Sequence, residues 1–206
     1  MAVLVGKQAP DFTAAAVMPD NSINKQFNLK SYLKGKEGIL FFYPKDFTFV
    51  CPSEIIAFNN RLQEFKSRGV EIIGVSTDTA ETHLRWKQTA INDGGIGNVQ
   101  YPIVADESTS ISKDYDVIVE GKKVDGQTIA YRGTFLINKE GKVVHQVIND
   151  LPLGRSIDEA LRLVDALQFT NEHGEVCPAG WNKGDEGMAP SKEGVASYLK
   201  KHAKKL

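Results

Sequence analysis

The sequence from residue 41 to residue 54 reads Phe41-Phe42-Tyr43-Pro44-Lys45-Asp46-Phe47-Thr48-Phe49-Val50-Cys51-Pro52-Ser53-Glu54. The run that leads into it, from Gly38 to Tyr43, is apolar without alternation, which predicts a strand buried on both faces and ended by Pro44. After the loop, Pro52 suits a first helical turn, where a missing N–H costs no hydrogen bond. The stretch therefore predicts a strand, a loop and a helix, with Cys51 at the start of the helix.

The helix that follows Cys51 is predicted from the spacing of its apolar residues. Ile55, Phe58, Leu62 and Phe65 recur at steps of three and four, so they lie on one face of a helix that runs to about residue 66. At the beginning of such a helix, unpaired backbone N–H groups and the positive end of the helix dipole converge.

Cys51 is predicted to be a nucleophile, because a helix N-terminus and a nearby cation favour the reactive thiolate. Full ionisation at neutral pH raises the thiolate fraction roughly thirtyfold, or about 2 kcal/mol. A larger acceleration requires donors that bind the transition state, and the Thr48 hydroxyl and the first-turn N–H groups are local candidates. The alternative is a buried structural cysteine, the usual role of a free Cys.

Bulk properties exclude several functional classes. The 206 residues suit one domain with an appendage, or at most two small domains. The formal charge of −1 gives no electrostatic reason to expect nucleic acid or an anionic membrane. No apolar run approaches the roughly 20 residues of a membrane span, and the first residues lack the pattern of a signal peptide. We therefore expect a cytoplasmic protein.

Only two cysteines occur, Cys51 and Cys177. They are too few for a disulfide-stapled secreted scaffold, and neither belongs to a C-x-x-C pair. His173 precedes Cys177 by four residues, but the other histidines show no ligand spacing around it, so no metal site is expected. No dinucleotide-binding glycine fingerprint is present either, and the sequence predicts no cofactor.

The rest of the chain alternates strand and helix patterns before a hairpin and a last helix. His83, in the second helix, is predicted to be a packed or capping side chain. The order of elements predicts an α/β thioredoxin-like fold, with a central mixed sheet flanked by helices. The predicted elements are strands at 69–76 and 101–106, helices at 79–90 and 109–115, a turn or protruding loop at 119–128, a hairpin of 131–137 and 142–148, and a helix from Ser156 to about Phe169.

The composition changes after residue 169. Glycines at 174, 180, 184 and 187 and prolines at 178 and 190 interrupt any long element. We therefore predict a domain of residues 1–169 and a C-terminal arm of residues 170–206 that ends in a short basic helix at about 194–205.

Pro44-x-x-x-Thr48-x-x-Cys51, followed by Pro52, resembles the active-site signature of the peroxiredoxins. Residues 5–12 likewise resemble the entry segment of the peroxiredoxin and alkyl hydroperoxide reductase family. The resemblance extends from there to the terminal helix. It implies a thiol peroxidase that reduces hydrogen peroxide and organic hydroperoxides through Cys51.

The second cysteine carries a further resemblance. Residues 173–181, His-Gly-Glu-Val-Cys-Pro-Ala-Gly-Trp, resemble the resolving-cysteine segment of the typical two-cysteine peroxiredoxins. The resemblance implies a homodimer with two intersubunit Cys51–Cys177 disulfides, and rings of five dimers are common in that family. It also implies thioredoxin as the electron donor, with a flavoprotein disulfide reductase as the alternative.

Arg132 matches the arginine that in this family contacts both the thiolate and the peroxide. A guanidinium fork can stabilise two oxygens at once, which a lysine cannot. The ordinary alternative for a strand arginine is an exposed ion pair. Glu54 and Arg155 match a supporting acid and a second arginine that orient the site.

A disulfide needs two Cα atoms within about 7 Å, which a cysteine held in a packed helical turn cannot easily offer to an arm. We therefore predict local unwinding of residues 47–53 in each cycle. Slow unwinding favours over-oxidation in the family. The glycine loop at 94–97 resembles that of sensitive members, whereas Tyr198-Leu199 replaces their Tyr-Phe pair, so sensitivity stays open.

Two alternative functions, from classes other than enzymes, remain. The family also shows holdase chaperone activity in high-mass assemblies, which would need no chemistry at Cys51. A static structural bridge between Cys51 and Cys177 would show no redox cycling.

Overall fold

The computed structural model describes residues 2–206, without the side chain of residue 205. The described chain divides into two compact units, of which the first ends at Arg155 and the second spans Ser156–Leu206. Within residues 2–206, no helix has both the length and the apolar character needed to cross a bilayer.

The first unit holds the strands and five short helices. Its strands are β1 (Thr13–Val17), β2 (Ile23–Asn28), β3 (Glu37–Phe42), β4 (Val70–Ser76), β5 (Ile103–Ala105), β6 (Ile118–Val124), β7 (Gln127–Ala130), β8 (Arg132–Ile137) and β9 (Val143–Asn149). Its helices are α1 (Leu29–Tyr32), α2 (Cys51–Asn60), α3 (Leu62–Ser67), α4 (Ala80–Gln88) and α5 (Ser110–Asp114). The second unit contains α6 (Ile157–His173) and α7 (Lys192–His202).

Seven strands form one mixed sheet in the order β2-β1-β5-β4-β3-β8-β9, in which β3, β4 and β5 are parallel. Every residue of β3 is buried, as its unbroken apolar run predicts. The predicted α/β thioredoxin-like fold with a central mixed sheet is confirmed.

The sheet register brings two distant segments to the same edge. Strand β8 runs antiparallel to β3, with Phe41 opposite Thr134. The beginning of β8 therefore lies beside the end of β3, from which the loop leads to Cys51. Arg132, the first residue of β8, is placed at this edge by backbone pairing alone.

Two predicted elements are wrong in detail. The helix after Cys51 does not continue unbroken to residue 66, because the backbone departs from helical geometry at Arg61 and α3 begins at Leu62. Its four apolar residues stay buried across the break, so their spacing could not reveal it. The predicted loop at 119–128 belongs instead to the β6–β7 hairpin, which turns at Asp125 and Gly126 with positive φ at both. This turn is typical of two-residue hairpins, but the mostly exposed strand β6 lacks an apolar face that would predict it.

Helix α6 is longer than predicted. It ends at His173, not at about Phe169, and Gly174 caps it in the left-handed conformation. The predicted division between residues 169 and 170 thus falls inside α6, whereas the boundary between the two compact units lies between Arg155 and Ser156 along the chain. The assignment of separate functions to residues 1–169 and 170–206 stays a prediction.

Candidate active site

Cys51 is the first residue of α2 and has no exposed surface. Pro44, also buried, follows the end of β3 and begins the loop that leads there. The backbone N–H groups of Ser53 and Glu54 donate to the Val50 carbonyl oxygen at 3.1 and 3.4 Å. The N–H groups of Ser53 and Glu54 are therefore occupied and Pro52 has none, which leaves the Cys51 N–H and nearby side chains as the candidate donors to a reacting oxygen.

Arg132 lies against the sulfur of Cys51. Its Nη1 is 3.3 Å from Sγ and 2.6 Å from Oε2 of Glu54, and its Nε donates to the Leu151 carbonyl oxygen at 2.7 Å. The side chain is 4% exposed, so the alternative of an exposed ion pair is wrong. Three contacts in different directions fix the plane of the guanidinium.

Glu54 joins a second arginine to the site. Its Oε2 lies 3.0 Å from Nη1 of Arg155, without an aligned hydrogen bond, and its Oε1 accepts from the Arg155 backbone N–H at 3.0 Å. Arg155 also donates to the Thr134 hydroxyl at 2.9 Å and to the Phe42 carbonyl oxygen. Burial lowers the pKa of Arg155 to about 10, against the opposing attraction of Glu54, so the group stays cationic at neutral pH.

The buried charges of the site do not balance when Cys51 is neutral. Arg132 and Arg155 bring two positive charges, and Glu54 brings one negative charge. A net positive charge in a buried place is unfavourable by itself, and it suits the site to negative charge that develops on a reacting atom. The arrangement therefore places a donor that is already oriented beside the Cys51 sulfur.

Thr48 lies half-buried in the loop before Cys51. Its hydroxyl donates to the Lys45 carbonyl oxygen at 2.8 Å, so the expected donor is already engaged. In this arrangement, Thr48 offers an oxygen lone pair that can accept the O–H of a substrate.

A buried polar network under the same loop was missed by the sequence reading. Oδ1 of Asp46 accepts from the Tyr43 hydroxyl at 2.8 Å, and Oδ2 lies 2.7 Å from Nδ1 of His83. The Asp46 N–H donates to Asp78 at 2.9 Å, and Nε2 of His83 faces the Val104 carbonyl oxygen at 3.2 Å. The available signal was an acidic residue, Asp46, in a loop that also contains Phe47, Phe49 and Val50. The expected packed role of His83 is confirmed.

The protonation of His83 is predicted to make stability depend on pH. Burial opposes its charge, but Asp46 and the other acceptors outweigh burial and raise its pKa. A raised folded-state pKa gives stability that is complete below the unfolded value of about 6.5 and is lost as pH rises through the folded value. Asp78 changes stability with pH in the same direction, because burial and the charge of Asp46 raise its pKa as well.

We therefore expect urea unfolding to give a lower free energy of unfolding at pH 8.5 than at pH 6, and a weaker dependence in His83→Asn. An equal dependence in the two proteins would show that the pair does not titrate in this range.

Cys177 lies in the second unit, in a loop closed on itself. Its Sγ is 3.6 Å from the Ala166 carbonyl oxygen, and both cysteines are free thiols. Val176 and Met188 exchange two backbone hydrogen bonds of 2.9 and 3.0 Å, which close the loop beside Cys177. Among residues 2–206, no group of three His, Cys, Asp or Glu side chains is arranged to hold a metal ion.

Replacing Glu54 should destabilise the fold strongly. Glu54→Gln keeps the shape but leaves two buried guanidinium groups without their carboxylate. Removing one partner of a buried ion pair costs about 3–5 kcal/mol, and we expect a loss of about 3 kcal/mol in urea unfolding of the reduced protein. Glu64→Gln is the matched control, because Glu64 pairs with Arg61 at the surface and should change the free energy by less than about 1 kcal/mol. Similar losses in both variants would contradict a special role of the buried carboxylate.

Comparisons with known proteins cover both units. The pattern of the AhpC/TSA family matches residues 5–146, and that of the C-terminal domain of 1-Cys peroxiredoxin matches residues 166–201. The chain is 55% identical over 204 residues to alkyl hydroperoxide reductase C of Helicobacter pylori, covering 99% of this chain and 100% of that protein. It is 50% identical over 198 residues to peroxiredoxin-2 of Macaca fascicularis, covering 96% of each. The reduced 2-Cys peroxiredoxin of Plasmodium vivax superposes with a TM-score of 0.91 at 47% identity, over 97% of this chain and 100% of that one.

Proposed function

Since the chain belongs to the AhpC/TSA family of peroxiredoxins and is a thiol peroxidase, we propose that Cys51 is the thiol that attacks the hydroperoxide. The supporting observation is the 3.3 Å contact between Cys51 Sγ and Nη1 of Arg132, which also donates to Glu54. Pro44 and Thr48 shape the loop, Arg132 stabilises the reacting atoms, and Glu54 and Arg155 orient Arg132.

The first step oxidises the sulfur by two electrons. The Cys51 thiolate attacks one peroxide oxygen, the S–O bond forms and the O–O bond breaks. The proton of the attacked hydroxyl passes to the departing oxygen, which leaves as an alcohol or as water, and the sulfenate left on Cys51 takes a proton from solvent to become the sulfenic acid. Arg132 stabilises the negative charge that develops on the departing oxygen, while the Thr48 oxygen accepts the peroxide O–H and orients it.

Cys177 resolves the sulfenic acid. Its thiol attacks the Cys51 sulfur, a disulfide forms and water leaves, so no further oxidant is needed. The arm of residues 170–206 supplies this thiol to the peroxidase domain of residues 1–169 in the partner subunit of a homodimer, and five dimers form a ring. A reduced dithiol then returns two electrons and two protons. Thioredoxin is the proposed donor, and a flavoprotein disulfide reductase is the alternative.

The cellular location follows from the same chemistry. Two cysteines that cycle between thiol and disulfide require a reducing supply, which is typical of the cytoplasm.

Non-reducing electrophoresis after one equivalent of hydrogen peroxide tests the proposal. We expect the wild type to shift from monomer to covalent dimer, and Cys177→Ser to lose one equivalent of peroxide without the shift. An oxidised monomer that has lost both thiols would indicate an intrachain bond. An unchanged peroxide concentration would contradict the function itself.

The chaperone alternative is not favoured, because the relatives are named as reductases and peroxiredoxins. Equal protection of an unfolding client by the wild type and Cys51→Ser, without peroxide consumption, would reinstate it.

A further inference from the structure

The loop before Cys51 contains a strained residue that the chemistry does not use. Phe47 has a φ of +54°, in the left-handed region that bulky side chains avoid. Of the non-glycine residues with positive φ between residues 2 and 206, it is the only aromatic one. The backbone is therefore strained four residues before the proposed nucleophile.

Contacts of the Phe47 ring oppose this strain. The ring lies 5.6 Å from the Trp86 ring, and Cζ of Arg85 lies 5.3 Å from the Phe47 centroid. Trp86 is fully buried and donates from Nε1 to the Gly94 carbonyl oxygen at 2.9 Å, so this side of the contact is fixed. Aromatic contact and cation–π attraction both stabilise Phe47 in its strained conformation.

The neighbours of Phe47 are held by other groups. The Asp46 N–H donates to Asp78, and the Thr48 hydroxyl donates to the Lys45 carbonyl oxygen. Lys45 also reaches the β6–β7 turn, where its Nζ lies 2.7 Å from Asp125. Phe47 itself is 44% exposed, so strain and accessibility coincide at this residue.

We propose that Phe47 and Arg85 form a positioning clamp that sets how readily the loop unwinds. Cys51 has no exposed surface while it faces Arg132, so a disulfide can form only after the loop opens. The contact with Arg85 and Trp86 holds the closed form, and the strain at Phe47 favours its release. The clamp thus sets the competition between disulfide formation and attack by a second peroxide, which gives sulfinic acid. This inference rests on the proposed function.

Replacing Arg85 tests whether its contact with the Phe47 ring holds the loop closed. Wild type, Arg85→Ala, Arg85→Lys and Gln88→Ala receive increasing pulses of hydrogen peroxide, and intact mass after acid quenching gives the ratio of disulfide to sulfinic acid. An exposed cation–π contact corresponds to about two- to fivefold in equilibrium. We expect Arg85→Ala to need about two- to fivefold more peroxide for equal amounts of the two products. Arg85→Lys should lie between it and the wild type, and Gln88→Ala, on the exposed face of the same helix, should match the wild type.

Two variants at residue 47 test the strain. Phe47→Ala and Phe47→Gly both lack the ring, but only glycine adopts the positive φ without strain. We therefore expect Phe47→Gly to open less readily than Phe47→Ala and to form sulfinic acid at lower peroxide. Equal ratios in wild type and Arg85→Ala, or a glycine variant that resists sulfinic acid as well as the alanine variant, would overturn the clamp. If the wild type forms neither product, the proposed function itself fails.

Discussion

Cys51→Ser should consume hydrogen peroxide at least about a thousandfold more slowly than the wild type in rapid-mixing experiments. A serine hydroxyl is a far weaker nucleophile than a cysteine thiol at neutral pH, so the reacting group of the proposed mechanism is lost. The remaining groups would still surround a bound peroxide, but they have no nucleophile to direct. Single-turnover loss of peroxide, measured at excess enzyme, gives the rate without a reductant.

Cys177→Ser is the matched control for this variant, because it removes the other thiol. We expect its first turnover to proceed at the wild-type rate and its later turnovers to stop. Comparable first-turnover rates in Cys51→Ser and the wild type would assign the reaction to a different residue and end the proposed mechanism.

Arg132→Lys should slow the same first turnover by about a hundredfold, and Arg132→Met should slow it further. Loss of one donor that stabilises developing charge on a reacting oxygen costs about 10²–10³ in rate. The lysine keeps the positive charge but loses the planar guanidinium, in which Nη1 contacts Cys51 and Glu54 while Nε donates to Leu151. Arg132→Met loses the positive charge as well. Comparing the two variants therefore separates the effect of the guanidinium's shape from the effect of its charge.

Arg162→Lys is the control for arginine replacement elsewhere. Arg162 is a surface side chain that pairs with Glu159 on its own helix, and its replacement should leave the first-turnover rate unchanged. A first turnover in Arg132→Met as fast as in Arg162→Lys would show that the guanidinium beside the sulfur does not assist the reaction.

The sequence was informative where local pattern decides structure. The apolar run to Tyr43 and the spacing after Cys51 predicted a buried strand and the start of α2, because both depend on neighbours along the chain. The same locality explains the missed β6–β7 hairpin, whose mostly exposed β6 offers no apolar face as a signal.

The geometry of the candidate site depends on contacts between remote residues. Glu54 meets Arg132 across 78 positions of sequence and Arg155 across 101, and the register of β8 against β3 decides the first of these meetings. Family resemblance named these residues but could not give the shared carboxylate or the resulting charge imbalance. The Asp46–His83 pair joins the loop to α4 across 37 positions, so it too escaped a reading by local pattern.

The complete burial of Cys51 makes the closed loop a filter by molecular size. Hydrogen peroxide is scarcely larger than water and can enter through small fluctuations, whereas a bulky maleimide must wait until residues around the sulfur have separated. The rate of maleimide labelling at saturating reagent therefore counts opening events directly. The same barrier shields the Cys51 sulfur from large electrophiles that would otherwise consume it.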